Sequence, residues 1–146
     1  MKSSEEIKKI AKECILNEYD AIAKMPSRIN ENFVKVVRIL EKLKGRIIVV
    51  AIGKSAIIAN KLVATFNSIG QPSLFLHATE AIHGDIGIIQ KDDVIICISK
   101  SGNTPEIKAL LPLIIKMDNV LIAMTGNLDS YLSDVSDYII DVSIDK

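Results

Sequence analysis

The sequence has no tryptophan, only two cysteines and aromatic residues at 4% of its 146 positions, and its 18 basic side chains are balanced by 18 acidic ones. Each scarcity excludes something. A nucleic-acid binder wants a basic stripe and stacking rings, and the chain has neither a Lys/Arg cluster nor a set of aromatics to offer. No apolar run approaches the roughly 18 residues of a membrane span, and the opening MKSSEEIKKIAKE is charged where a signal peptide is apolar, so the chain reads as cytoplasmic, with neither nucleic acid nor membrane as partner. Cys14 lies in a helical pattern and Cys97 in an apolar run, and both read as small core hydrophobes in a reducing compartment. No disulfide or metal staple is needed, because a chain of 146 residues, 49% hydrophobic, makes about one domain and buries roughly 70% of its unfolded surface unaided.

What is present is periodic. Ile7, Ile10, Ala11, Cys14, Ile15 and Ile22 recur at helical spacing behind Ser3 and Glu6, whose offset is that of a capping box, so an amphipathic helix is predicted to end near Pro26. Phe33, Val36, Val37, Leu40 and Leu43 predict a second helix, entered at Asn30 or Asn32 and stopped by Gly45. From Arg46 the run IIVVAI, closed by Gly53, has the unbroken apolarity of a parallel strand covered on both faces. The grammar then repeats: a helix from Ser55 to Ile69 stopped by Gly70, strands PSLFLH and VIICIS, a helix from Thr104 to Met117, and strands VLIAMT and YIIDVSI. Pro112 lacks an amide donor and is expected to kink that last helix or start it afresh. The Tyr and Met residues fall in apolar patterns and read as core. No linker, repeat or low-complexity segment divides the chain, so 1–146 reads as one domain, helical over 1–45 and a parallel-sheet core over 46–146.

Alternating strands and helices imply an α/β, three-layer, doubly wound parallel sheet, here of five strands. Ligands of such sheets bind beyond the carboxyl ends of the strands, where the strand order reverses. If the order is 2-1-3-4-5, the segments after strands one and three share that crevice. They are the most polar and glycine-bearing of the chain: Gly53-Lys54-Ser55, and Ser99-Lys100-Ser101-Gly102-Asn103-Thr104. Each opens a helix, where amides, hydroxyls and the positive end of the macrodipole make an anion site, so Ser55, Ser99, Ser101 and Thr104 are candidates to encircle a phosphate. A Walker A loop needs a glycine where Ile48 stands, and the dinucleotide fingerprint needs three glycines where Gly53 is alone, so a phosphate ester smaller than a nucleotide fits better.

Single residues admit two accounts. Ser and Thr at these positions often do no more than cap helices. Lys54 is a solvated loop lysine or a cation facing developing negative charge. Glu106 complements the helix dipole or serves as a base beside the anion. Both histidines fall in the loop His77-Ala78-Thr79-Glu80-Ala81-Ile82-His83-Gly84-Asp85, whose spacing fits no standard metal template. A metal site, surface histidines and an acid/base role for His83 stay open.

Taken in order, AIGKSAIIANKLVATFNSIGQPSLFLHATEAIHGDIGII and DDVIICISKSGNTPEI resemble the sugar isomerase (SIS) domain of the arabinose-5-phosphate isomerase type, from about Arg46 to the end. The Gly-Lys-Ser and His-x-x-Glu-x-x-His-Gly-Asp segments carry the resemblance, since SIS branches such as 6-phospho-3-hexuloisomerase typically lack the histidine loop. The resemblance implies a flavodoxin-like SIS fold and conversion of D-arabinose 5-phosphate and D-ribulose 5-phosphate through an enediolate, feeding the Kdo of bacterial lipopolysaccharide. It implies a homo-oligomer, dimer or tetramer, and no metal or redox cofactor. On matching positions it implies phosphate binding by Ser55, Ser99, Ser101, Gly102 and Thr104. It gives Glu106 the proton shuttle, Lys54 the enediolate and His83 a place in the catalytic set, with Gly53, His77, Glu80 and Asp85 lining the site. Gly102-Asn103-Thr104 and Ala78 depart from common family letters.

Family members also continue past the fifth strand, with another catalytic glutamate, a later histidine and often a pair of CBS modules, so a chain stopping at Lys146 reads either as a truncated piece of an isomerase or as a short natural form. An isomerase of another sugar phosphate, and a phosphosugar-binding or regulatory module without turnover, stay open. Regulators of the family usually carry a DNA-binding segment, and the two N-terminal helices have no basic helix-turn-helix character. A flavin carrier or receiver would need acidic residues after strand one or an aromatic flavin loop, and the chain has neither.

Overall fold

The computed structural model describes residues 2–144. Five parallel strands, β1 Ile47–Ala51, β2 Ser73–His77, β3 Val94–Ser99, β4 Leu121–Thr125 and β5 Tyr138–Asp141, lie in the order β2-β1-β3-β4-β5. The order is the one expected. β1 pairs with β2 on one side and β3 on the other, Ile47 standing opposite both Ser73 and Val94, so the reversal of winding lies between β1 and β3.

The apolar runs become strands because both faces of the sheet are covered. Every residue of β1 is fully buried, and alternate positions face opposite layers. Ile47, Val49 and Ala51 pack with α2 (Glu31–Glu41) and α3 (Lys54–Ser68), whose contributions include Val36, Ala59, Leu62 and Phe66. Ile48 and Val50 join Ile95, Cys97 and Ala123 against α4 (Ala78–Ile82), α5 (Pro105–Ile115) and α6 (Tyr131–Val135), chiefly Ala81, Ile107, Leu111 and Leu132. Each large aliphatic side chain so buried stabilises the fold by about 1.5–3 kcal/mol in transfer terms. Asn30 caps α2, its Oδ1 accepting from the amides of Asn32 (2.9 Å) and Phe33 (3.3 Å).

Several expectations are corrected. The histidine segment is not a loop: Ala78 and Ala81 are buried three residues apart, and the chain between the histidines closes into α4. A second short helix, α6, follows β4, capped by Ser130, whose hydroxyl accepts from the Ser133 amide. Of the two outcomes expected at Pro112 the fresh start does not occur, since α5 runs through it; the proline sits on the exposed side between buried Leu111 and Ile114, where water can take the carbonyl that loses its donor. Cys14 is exposed rather than core, because α1 (Ser4–Lys24), although its Ser3/Glu6 capping box forms, buries none of its residues. Tyr19 on the same helix and Met25 in the turn that follows it are exposed as well, while Tyr131, Tyr138, Met117 and Met124 are half-buried; Met1 lies outside the described residues. Among the described residues no helix is long and apolar enough to cross a membrane.

Candidate functional site

Beyond the carboxyl ends of β1, β3 and β4 lies an open cleft of about 690 Å³. Its wall includes Ser55, Ser99, Ser101 and Thr104, so the structure brings the four hydroxyls singled out from the sequence into one cavity. Two turns make this possible. Gly53 takes φ 61°, a conformation that suits glycine, and turns the chain from β1 into α3. Gly102, at φ 64°, does the same after β3, and a Cβ there would collide with the Ser130 side chain and stand 3.2 Å from Thr125 Oγ1.

The hydroxyls are preorganised by one another. Ser99 Oγ lies 3.1 Å and Ser101 Oγ 3.4 Å from Thr104 Oγ1, and Ser99 Oγ accepts from the Gly102 amide at 3.2 Å. Ser101 Oγ accepts from the Asn103 amide, also at 3.2 Å. Neither Gly53 nor Thr104 caps its helix with a side-chain hydrogen bond. Ala56 gives its amide to the Gly53 carbonyl and Pro105 has none, so the other first-turn amides of α3 and α5 are the donors, with the helix dipoles behind them, an arrangement suited to an anion. Chemically, the cleft can hold a phosphate by neutral hydroxyls and amides.

The other candidates are not gathered in its wall. Lys54 is exposed at the first position of α3, and Glu106 is half-buried in the first turn of α5. His77 caps α4, its Nδ1 accepting from the Thr79 amide at 3.3 Å with its ring edge-on to Phe75, so one ring nitrogen is committed to structure. Glu80, His83 and Asp85 are exposed on α4 and the turn after it, His83 donating its amide back to Glu80 and Thr79. Among the described residues no three His, Cys, Asp or Glu side chains converge as metal ligands.

The cleft also has walls that reading of the sequence missed: Lys100, Gly126, Asn127, Val142 and Ile144, with Ile52 and Ile98 at its base. Gly126-Asn127 follows β4 as the hydroxyl-bearing segments follow β1 and β3, so the same strand-end rule finds it.

Residues 39–146 match the SIS domain family. The chain belongs to that family. Among curated SIS relatives, arabinose 5-phosphate isomerase KdsD of Pseudomonas aeruginosa is 46% identical over 127 residues, 87% of this chain and 39% of its own length. KdsD of Escherichia coli K12 is 38% identical over 135 residues, 92% of this chain and 41% of its own. The chain thus spans about two-fifths of the length of these relatives. A solved SIS structure, the Escherichia coli CFT073 protein c3406 in complex with arabinose 5-phosphate, superposes with a TM-score of 0.93 at 38% identity, covering 99% of this chain and 77% of that one. The SIS reading of the sequence and its five-stranded parallel architecture are thereby borne out.

Proposed function

We propose that the cleft binds a sugar phosphate and that the chain interconverts D-arabinose 5-phosphate and D-ribulose 5-phosphate. The observation that carries this reading is the convergence of Ser55, Ser99, Ser101 and Thr104 on one cavity at two helix N-termini without side-chain caps. The similarity to a protein solved with arabinose 5-phosphate supports the sugar. In the proposed reaction Glu106 removes the C2 proton of the open-chain aldose and returns it to C1, while the O2 proton passes to O1. The aldehyde becomes an alcohol, the C2 alcohol becomes a ketone, and no atom is gained or lost. Lys54 stabilises the enediolate between the two, and His83 assists from the end of α4. Ser55, Ser99, Ser101, Gly102 and Thr104 hold the phosphate, with Gly53, His77, Glu80 and Asp85 shaping the surroundings. In this reading 1–146 acts as one domain. The product feeds Kdo synthesis in the cytoplasm.

α1 exposes Ile7, Ile15, Leu16, Tyr19 and Ile22 by 58–66% each, and a second copy of the chain covers that face in a homo-oligomer. Light scattering tests this, and a monomer counts against it.

The test of function is proton NMR of D-arabinose 5-phosphate in D₂O. The C2 proton signal is expected to fall as ribulose 5-phosphate appears with solvent deuterium at C1, about 10² to 10³ more slowly for Lys54→Ala. A second reading, a phosphosugar-binding module without turnover, is favoured by the absence of Lys54, Glu106 and His83 from the cleft wall. It predicts no exchange, but a raised melting temperature with the sugar phosphate.

A further inference from the structure

The hydroxyl cradle is electrically neutral, yet a phosphate monoester carries close to two negative charges at neutral pH. The described residues lining the cleft include a single charged side chain, Lys100, between Ser99 and Ser101. We propose that Lys100 is the residue that pairs with the ligand's phosphate charge, and that the segment after β4 exists in part to hold it there. The inference rests on the sugar-phosphate reading of the cleft and adds a binding residue to it.

An exposed lysine is ordinarily just solvated, so the case rests on how this one is held. Its carbonyl accepts the Gly126 amide at 3.1 Å, and the next carbonyl, that of Ser101, accepts from Asn127 Nδ2 at 3.2 Å. Two consecutive residues after β4 thus fasten two consecutive residues after β3. Gly126 is also the surface over which the lysine stem lies. A Cβ at Gly126 would stand 3.2 Å from the Lys100 oxygen and 3.5 Å from its Cγ. The stem is therefore placed along the cleft wall, and none of the ion pairs between described residues involves its ammonium.

Asn127 is tied down in turn, its carbonyl accepting from the Ser130 (2.7 Å) and Ser133 (3.1 Å) hydroxyls, and its amide donating to Thr125 Oγ1 at 3.2 Å. The chain of contacts runs from α6 through Asn127 to Ser101 and Lys100. Such a device positions a flexible cation beside neutral donors without closing the cavity.

The test is calorimetric titration of the full chain with D-arabinose 5-phosphate, and with unphosphorylated D-arabinose as the control. Wild type, Lys100→Gln and Lys100→Arg are compared, with melting temperatures confirming that each is folded. Lys100→Gln is expected to weaken sugar-phosphate binding about 10- to 100-fold, the usual worth of a hydrogen bond to a charged group. Arg should restore most of it, and rising KCl should weaken the wild type more steeply than the Gln variant. Equal affinity of wild type and Lys100→Gln, with Thr104→Ala still weakened, overturns the inference and leaves the sugar-phosphate reading standing. No binding of D-arabinose 5-phosphate by the wild type overturns both.

Discussion

The two ends of the sheet are both polar, and they use polarity in opposite ways. At the amino ends of β1 and β3, Asp93 is 3% exposed and has every oxygen engaged. Its carboxylate accepts from Arg46 Nε (3.2 Å), Arg46 Nη2 (2.7 Å), and the backbone amides of Arg46 (2.8 Å) and Gln90 (2.9 Å). Its carbonyl accepts from Asn119 Nδ2 at 2.8 Å. The Arg46 guanidinium goes on to the Ile88 carbonyl, and a Cβ on Gly45 would run into the Asp92–Asp93 backbone, so the polar groups of the junction are spent on one another. At the carboxyl ends the hydroxyls of Ser99, Ser101 and Thr104 touch one another but border an open cavity. Polar residues alone do not mark a site; polar residues with remaining hydrogen-bonding capacity, facing space, do.

The contrast predicts that one end carries chemistry and the other stability. Glu106→Gln should lower the rate of D-arabinose 5-phosphate conversion by about 10² to 10⁴, the usual worth of a general base, and leave the melting temperature nearly unchanged. Near-normal turnover would remove Glu106 from the proposed mechanism.

Asp93→Ala should do the reverse. It removes the partner of the Arg46 guanidinium, which is 26% exposed at the side chain and keeps the Ile88 carbonyl, and leaves the Arg46 and Gln90 amides without their acceptor, a loss of about 2–3 kcal/mol readable by urea denaturation, with little change in ligand affinity of the folded fraction. The same junction sets an acid response. Burial pushes the Asp93 carboxyl up, but the Arg46 side-chain hydrogen bonds, the Gln90 and Arg46 amides and the Arg46 charge together hold it below the ordinary carboxylate range. A carboxylate lowered by folding contributes stability that is present above its unfolded pKa of about 4 and lost as the pH falls from there through the folded value. The stability gap between wild type and Asp93→Ala should therefore narrow below about pH 4. A gap constant down to pH 2 would place the stabilisation elsewhere.

Two glycines at the carboxyl end sharpen the comparison further. Gly102→Ala must tolerate a positive φ and a collision with Ser130, whereas Gly53→Ala faces the φ cost with nothing within 4 Å. Backbone strain of this kind is worth about 1–3 kcal/mol, so both should destabilise, Gly102→Ala more. Its displacement of Ser130 should also loosen Asn127 and weaken sugar-phosphate binding. Equal losses at the two positions would mean that the Ser130 contact relaxes freely.

The difference between the ends also explains how much was legible beforehand. Strands covered on both faces write themselves as unbroken apolar runs, so IIVVAI and VIICIS located β1 and β3, and with them the segments that hold Ser55, Ser99, Ser101 and Thr104. α4 and α6 span only five residues each, too few for a helical period to register. Cys14 shows a second limit: spacing tells which face of a helix is apolar and not what covers it. In the site, Lys54 and Ser55 are neighbours in sequence, but adjacent helical residues point about 100° apart, and Ser55 lines the cleft while Lys54 is exposed. Asn127 and Lys100 went unassigned because their roles arise from a contact between two loops 26 residues apart.

The smallest predicted effect marks where core ends and cleft begins. Cys97 and Ser99 are two residues apart on β3, so their side chains point to the same face of the sheet. Cys97 is 0% exposed among Val50, Ile107 and Ala123, and burial pushes its thiol up to about 12. Ser99, one step along the same face, borders the cleft. Thiolate, not thiol, attacks a disulfide reagent, so at pH 8 the Cys97 thiol of the native chain should be released only on unfolding, whatever the rate at Cys14 on α1. Rapid release of both would move the boundary inward past Cys97 and make the cleft floor solvent-accessible.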